Sequence, residues 1–304
     1  MFTRLAKGVQ SRLLRAFSKS LDGFTRHDLV NNAMAASSIN QKLLMASYQQ
    51  LGRSGGPYPK LVDTEFRCYS QNGEDGILLY LFSQIGFSSR RVVELCAAHG
   101  MECNAANLLI HHGFEGLLFD GGVRNVDLGR KFYAHNRNTF THPPAFVQAW
   151  ITRDNVNGLI AEHGFRGDVD LLSLDVDGND YWILEAIDVI SPRVIVLEFN
   201  YELGPTASYT IAYDPAFVVD FSDPPLICSA SLAAFTKLLA TRDYRLVGVH
   251  SLGFNAFFVR NDVATDALHE QTPESCFADT PKLQDWTSDR LERMLARSSR
   301  WQEV

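Results

Sequence analysis

The residues of this 304-residue sequence best suited to chemistry are carboxylates standing where apolar runs stop. The densest group is Asp175-Val176-Asp177-Gly178-Asn179-Asp180, between an apolar strand-like run and the apolar helical segment from Tyr181 to Ile187. Alternation along a strand over 169–177 sends Asp175 and Asp177 to the same side. Two carboxylates so placed can hold a hard divalent cation, Mg²⁺ or Mn²⁺, with water completing its shell, or one can take a proton from a hydroxyl as general base. A plain capped turn uses the same letters: Asp177 or Asn179 closes the helix start and Gly178 supplies a positive φ.

Other runs end in the same way, at Glu94, Asp120, Glu198 and Asn200. In a parallel α/β sheet, ligands bind beyond the carboxyl ends of the strands, so these residues converge on one edge. Asp120 follows Gly100 by 20 residues, the position from which a carboxylate accepts the ribose hydroxyls of a bound nucleoside. Between the first strand and helix lies Val93 to Gly100, whose small residues suit close approach of a ligand to the backbone, although only Gly100 is a glycine. The knot Ser70-Gln71-Asn72-Gly73-Glu74-Asp75 reads equally as a helix start and as a ligand edge. Among the histidines none has metal-ligand spacing; His250, at a strand end, is the candidate proton acceptor.

The elements that must position these groups follow from the hydrophobic pattern. Apolar runs at 91–96, 116–120, 145–151, 169–177 and 193–200 alternate with helical segments near 104–112, 124–135, 155–163 and 181–187. Such near-continuous apolar strands predict a parallel sheet covered on both faces. Runs 244–250 and 255–260 are separated by a short turn and must pair antiparallel. Tyr201 to Cys228 holds four prolines and no helical period, which predicts a lid or substrate loop. The division expected is a helical extension and linker over 1–60, the α/β domain over 61–262, and a polar tail over 263–304 with a helix near 287–298.

Composition narrows the function classes. With 46% apolar and 21% charged residues the chain is an ordinary globular protein, and its net charge of -7 gives no basis for a nucleic-acid partner. Five cysteines without a C-x-x-C pair suit reduced thiols in the cytoplasm. No run of about 18 apolar residues spans a membrane, and the first 20 residues lack a secretory signal's apolar core. Those 20 residues carry five basic side chains and no acid, so the rest of the chain holds -12. Leu5, Val9, Leu13 and Phe17 fall along one side of a helix, a pattern for a peripheral membrane or partner contact as well as for a solvated terminal helix.

YSQNGEDGILLYLF (69–82), the stretch from Val92 to Gly121, DLLSLDVDGNDYWILEAI (170–187), PRVIVLEFN (192–200) and FNAFFVR (254–260) together resemble the FkbM-like bacterial group of the S-adenosylmethionine-dependent methyltransferase superfamily. The resemblance covers 69–260 and implies a Rossmann-like, doubly wound, seven-stranded, mostly parallel sheet with an antiparallel last strand. It further implies S-adenosylmethionine over the first two strand ends, bordered by Gln71, Glu74, Asp75, Glu94, Cys96, Ala98 and Gly100, with Asp120 on the ribose. Asp175 and Asp177 would then act as base or metal ligands, and Asn179, Glu198 and Asn200 would face a small-molecule or glycan acceptor for O-methylation. Ala98-His99-Gly100 departs from the Gly-Asp-Gly type of loop in that group. Two alternatives therefore stand beside methyl transfer: a binding protein that keeps the fold without the chemistry, and a glycosyltransferase using Asp175-Val176-Asp177 as a metal-binding D-x-D.

Overall fold

The structure, a computed structural model, describes residues 33–263 and 266–304; the basic segment 1–20 lies outside the described residues. By compactness the chain divides into units 1–48 and 49–304. Helix α1 covers 33–54. In the larger unit there follow α2 (Glu74–Ile85), β1 (Arg91–Leu95), α3 (Ala106–His112), β2 (Glu115–Asp120), α4 (Val123–His135), β3 (Ala145–Gln148), α5 (Val156–Glu162) and β4 (Gly167–Leu174). Next come α6 (Asp180–Ala186), β5 (Ile190–Glu198), β6 (Tyr209–Ile211), α7 (Leu232–Ala240), β7 (Tyr244–Val249) and β8 (Asn255–Arg260). The last elements are α8 (Pro273–Asp279), α9 (Pro281–Gln284), α10 (Ser288–Ala296) and β9 (Trp301–Glu303).

Seven strands form the main sheet in the order β3-β2-β1-β4-β5-β8-β7. Pairs among β1 to β5 are parallel, and β8 enters antiparallel between β5 and β7. This is the doubly wound sheet expected from the sequence, with its last strand reversed. Period-2 side chains explain the coverage: Val93, Leu95, Phe119, Leu172, Leu174 and Ile195 join residues of α5, α6 and α7 in one cluster, while their neighbours Val92, Leu118, Leu171 and Val194 are equally buried on the opposite face. A sheet apolar on both sides must bury both sides.

At the amino-terminal edge the sheet is pinned by one buried carboxylate. Asp170 is fully buried and accepts from the backbone N–H groups of Ser88 (2.9 Å) and Arg90 (2.7 Å) and from Arg193 Nη1 (2.8 Å). The same guanidinium donates to Gly86 O and Ile85 O, so α2, β1, β4 and β5 meet at one ion pair.

The polar tail packs on the domain over its described residues 266–304. Cys276, Phe277 and Leu283 belong to the core cluster, Trp286 fills the space left by Gly204, and β9 pairs antiparallel with β6. The expected loop 201–228 likewise carries a 3-10 turn (Tyr201–Leu203) and β6. Among the described residues no helix is long and apolar enough to cross a membrane, and Cys96, Cys103, Cys228 and Cys276 form no disulfide.

Candidate active site

The carboxyl ends of β1, β2, β4 and β5 present the acids, and the local chain there is unusually strained. Cys96 (φ 65°), Ala98 (φ 47°), Asp177 (φ 57°) and Ser229 (φ 55°) are four of the non-glycine residues in the left-handed region, and all stand at this edge or in the loop that covers it. Such conformations cost about 1–3 kcal/mol each and gather where geometry is needed for function.

β4 ends at Leu174, three residues short of the expected strand, so Asp175 and Asp177 lie in the turn and are not brought together by alternation. Tertiary folding gathers them instead: ligand oxygens of Asp175, Asp177 and Glu198 all lie within 4.8 Å of one another, and each residue keeps some solvent-accessible surface. The capped-turn expectation is also corrected. Asn179 stands at the N-cap position of α6 as expected, but its side chain makes no capping hydrogen bond; Asp180 turns back instead, and its two oxygens accept from Val176 N (2.8 Å) and Gly178 N (2.9 Å). The positive φ sits on Asp177, and Gly178 is required for another reason: a Cβ there would stand 2.4 Å from a ring carbon of Phe217.

The cluster is electrostatically unbalanced. No Lys, Arg or His among the described residues forms an ion pair with Asp175, Asp177, Asp180 or Glu198. Desolvation, and then repulsion from Asp180 and Asp177, raises the Asp175 carboxyl. Glu198 is raised more strongly, by desolvation and by Asp175, to which its carboxyl is hydrogen bonded. Asp180 is pushed up to about 6, and Asp177 is raised, both by desolvation first. The thiols of Cys96 and Cys228 are held up by desolvation first and then by nearby carboxylates, Asp120 foremost for Cys96 and Glu198 for Cys228. The directions for Asp175 and Glu198 are those of a carboxyl pair that holds one proton between its members.

A carboxylate whose folded pKa is raised stabilises the fold below its unfolded value and loses that contribution as pH rises through the folded value. Thermal stability is thus expected to fall as pH rises from about 5 to 8, by about 1–3 kcal/mol in all after screening at this solvent-open rim. Glu198→Gln, which imitates the protonated carboxyl, should flatten that slope. A melting series at both pH limits checks it; an equal slope in both proteins rejects the shared proton.

On the β1–β2 side, Asp120 is largely buried, and its Oδ1 accepts from Gly122 N (2.7 Å) and Asn125 Nδ2 (3.0 Å). Among the described residues none donates a hydrogen bond to its Oδ2. Glu94 is committed to the fold: Oε1 accepts from Asn104 N and Ser173 Oγ, and Oε2 from Ala105 N, anchoring the start of α3. Asp75 organises the preceding segment, its Oδ2 accepting from the N–H groups of Cys68, Tyr69 and Ser70. Its Oδ1 is buried without a hydrogen-bond partner, and desolvation raises the carboxyl. Glu74 accepts from Asn255 Nδ2 (2.8 Å) and Asn72 N (3.0 Å), whereas Gln71 is exposed. Ala98 is exposed, and Gly100 serves packing, since a Cβ there would meet Phe146 at 2.8 Å.

The two asparagines hold the covering loop. Asn179 Nδ2 donates to Asp214 O (2.8 Å); Asn200 Nδ2 donates to Leu226 O (3.0 Å) and Cys228 O (3.1 Å). His250 belongs to a separate network. It is buried, its Nδ1 accepts from Leu252 N, its Nε2 lies 3.5 Å from Glu65, and no hydrogen bond joins it to Asp175 or Asp177.

Sequence reasoning passed over Trp150 and Phe217. Trp150, half exposed, donates from Nε1 to Pro215 O (2.7 Å), and Phe217 closes on Gly178. Trp150 stands just after β3, at the edge the other strand ends had already marked; Phe217 gives no local signal.

No family model and no curated protein matches the sequence. Solved structures that resemble the chain include magnesium protoporphyrin IX methyltransferase from Synechocystis PCC 6803, at 11% identity and a TM-score of 0.39, over 62% of this chain and 77% of that one. A S-adenosylmethionine-dependent methyltransferase from Clostridium acetobutylicum ATCC 824 shares 10% identity over 72% of this chain and 98% of its own, with a TM-score of 0.39. The CcbJ methyltransferase from Streptomyces caelestis shares 14% identity over 66% of this chain and 96% of its own, with a TM-score of 0.40.

Proposed function

We propose that the chain is an S-adenosylmethionine-dependent methyltransferase acting on a hydroxyl of a small or glycan-like acceptor. The observation that carries this reading is the pairing, on one sheet edge, of an uncommitted carboxylate oxygen on β2 with an unbalanced acid cluster after β4 and β5. Fit to the cofactor rests on Asp120, whose Oδ2 accepts from no described residue and would take the ribose hydroxyls, and on the left-handed turn at the exposed Cys96 and Ala98, which would border the methionine side. Glu94 and Asp75 act by holding the start of α3 and the 68–70 segment, with Gln71 exposed beside them and Glu74 buried behind it.

When bound, the cofactor supplies an electrophilic methyl carbon. The protein's own task is to orient the acceptor and to take one proton. Glu198 keeps its proton and donates it to Asp175, leaving the other Asp175 oxygen to receive the proton of the acceptor hydroxyl. Asp177 orients that hydroxyl, and Asn179 and Asn200 act through the backbone they hold. His250, tied to Glu65, has no part in this proton step.

A second reading is favoured by the same three acids, an all-oxygen donor set that suits Mg²⁺ or Mn²⁺. The ion would acidify the acceptor hydroxyl or, in a glycosyltransferase, bind the diphosphate of a sugar nucleotide.

Asp120→Ala is expected to weaken S-adenosylhomocysteine binding by about 10- to 100-fold, the loss of a charged hydrogen bond of roughly 1.5–3 kcal/mol. Calorimetric titration of both proteins tests this, with uridine diphosphate sugars and Mn²⁺ as the competing class. Unchanged affinity in the variant would move the cofactor site elsewhere. Silence of the folded wild type toward the sulfur ligands would favour the glycosyltransferase or the non-catalytic binding protein.

A further inference from the structure

The segment that covers the acid cluster is held on one side by Trp150, Asn179, Trp182 and Asn200 and on the other by residues 281–304. Trp286 Nε1 donates to Glu202 O (3.0 Å), and Arg290 lies 3.4 Å from the Glu202 carboxylate. β9 pairs with β6 in the register Tyr209↔Glu303, Thr210↔Gln302 and Ile211↔Trp301. Between α10 and β9 two arginines reach the loop itself. Arg297 Nη2 donates to Asp223 O (2.8 Å) and pairs with its carboxylate at 2.9 Å.

Arg300 makes three different contacts with one short turn. Its carbonyl accepts from Ala212 N (2.6 Å), its Nη1 donates to Asp214 Oδ2 (3.2 Å), and its guanidinium lies 5.6 Å from the centre of the Phe217 ring. The far side of that turn rests on the acid motif: Asn179 bonds the Asp214 backbone, and Phe217 occupies the space over Gly178. Arg300 is half exposed, and an exposed ion pair alone contributes little. Here the pair, the ring contact and the backbone bond act on six consecutive residues, 212–217, whose inner face touches the turn carrying Asp177.

We propose that residues 297–303 are a strap for the acceptor side of the site and that Arg300 is its positioning residue, seating the Ala212–Phe217 turn on Asp177–Asn179. Opening the strap lifts Phe217 from Gly178 and widens an acceptor's access to the acid cluster, while the Asp120 half of the edge stays in place. The geometry is independent of the methyl-transfer reading; only the name acceptor rests on it.

The test uses the full chain as wild type, Arg300→Ala, Arg300→Lys, and the charge-reversed pair Arg300→Glu with Asp214→Lys. Hydrogen exchange is followed in peptides covering 209–218, 176–184 and 91–120. In Arg300→Ala the first two are expected to exchange at least tenfold faster and the third at the wild-type rate, with S-adenosylhomocysteine affinity within threefold of wild type. Arg300→Lys and the reversed pair should each restore at least half of the lost protection in logarithmic terms, which a general loss of packing would not. Unchanged protection at 209–218, equal acceleration at 91–120, or failure of both rescues would overturn the strap. If the wild type binds no S-adenosylhomocysteine, the methyl-transfer reading falls, and the exchange pattern still decides the strap.

Discussion

Asp175→Asn is expected to lower methyl transfer by about 10²- to 10⁴-fold, the usual contribution of a positioned general base, and to make the protein more stable at pH 8. Both effects come from one cause. Asp175 is raised by desolvation and by Asp180 and Asp177, so its ionised form is disfavoured in the fold, and an amide of the same shape removes that repulsion. Its backbone neighbours are untouched: Asp175 N still donates to Leu95 O. Affinity for S-adenosylhomocysteine should stay within threefold, because Asp120 lies at the end of another strand. The measurement is transfer of labelled methyl from S-adenosylmethionine to a panel of sugar and small-molecule hydroxyl acceptors, with a melting curve of each protein at pH 8. A variant that retains its rate would remove Asp175 from the chemistry; one that melts lower would contradict the electrostatic account of the cluster. Sites that keep like charges together commonly trade stability for function in this way.

Asp170→Ala is expected to cost about 3–5 kcal/mol of folding free energy, a factor of roughly 10² to 10⁴ in the folding equilibrium. The size follows from what remains behind. Arg193 would keep its bonds to Gly86 O and Ile85 O but lose its counter-charge in a buried place, and the N–H groups of Ser88 and Arg90 would lose their acceptor. Asp170→Asn should fall between, since the amide oxygen still accepts, and Asp170→Ala with Arg193→Met should recover part of the loss by removing the orphaned charge. Urea unfolding followed by circular dichroism measures all four proteins. A loss below about 1 kcal/mol for Asp170→Ala would show that the pair is not the junction of α2, β1, β4 and β5 that its geometry describes.

Asp170 and Asp175 illustrate what could be read from the chain. Both stand in one apolar run, and no local pattern separates the acid that locks the sheet from the acids that face solvent at its other end. The strand position does so: in a parallel sheet the amino end faces the connections and the carboxyl end faces ligands. By that rule Asp120, Asp175, Asp177 and Glu198 were legible as edge residues. Their commitments were not. Glu94 and Asp75 have the same side-chain chemistry, yet both are consumed by backbone N–H groups of the next turn or the preceding segment. Whether a carboxylate is spent depends on where N–H groups from a folded loop arrive.

The seven sheet strands, the helices between them and the edge on which the acids gather are legible in the chain, because period-2 and period-3.6 patterns are written in neighbouring residues. It is packing in three dimensions that decided that Asp175, Asp177 and Glu198 meet within 4.8 Å, that Asp180 closes the turn, and that His250 belongs with Glu65. It also decided that residues 301–303 pair with 209–211 and bring Arg300 over the turn that covers the cluster. Three-residue strands some ninety positions apart carry no periodic signal, and their pairing is fixed by the shape of the core on which both are laid.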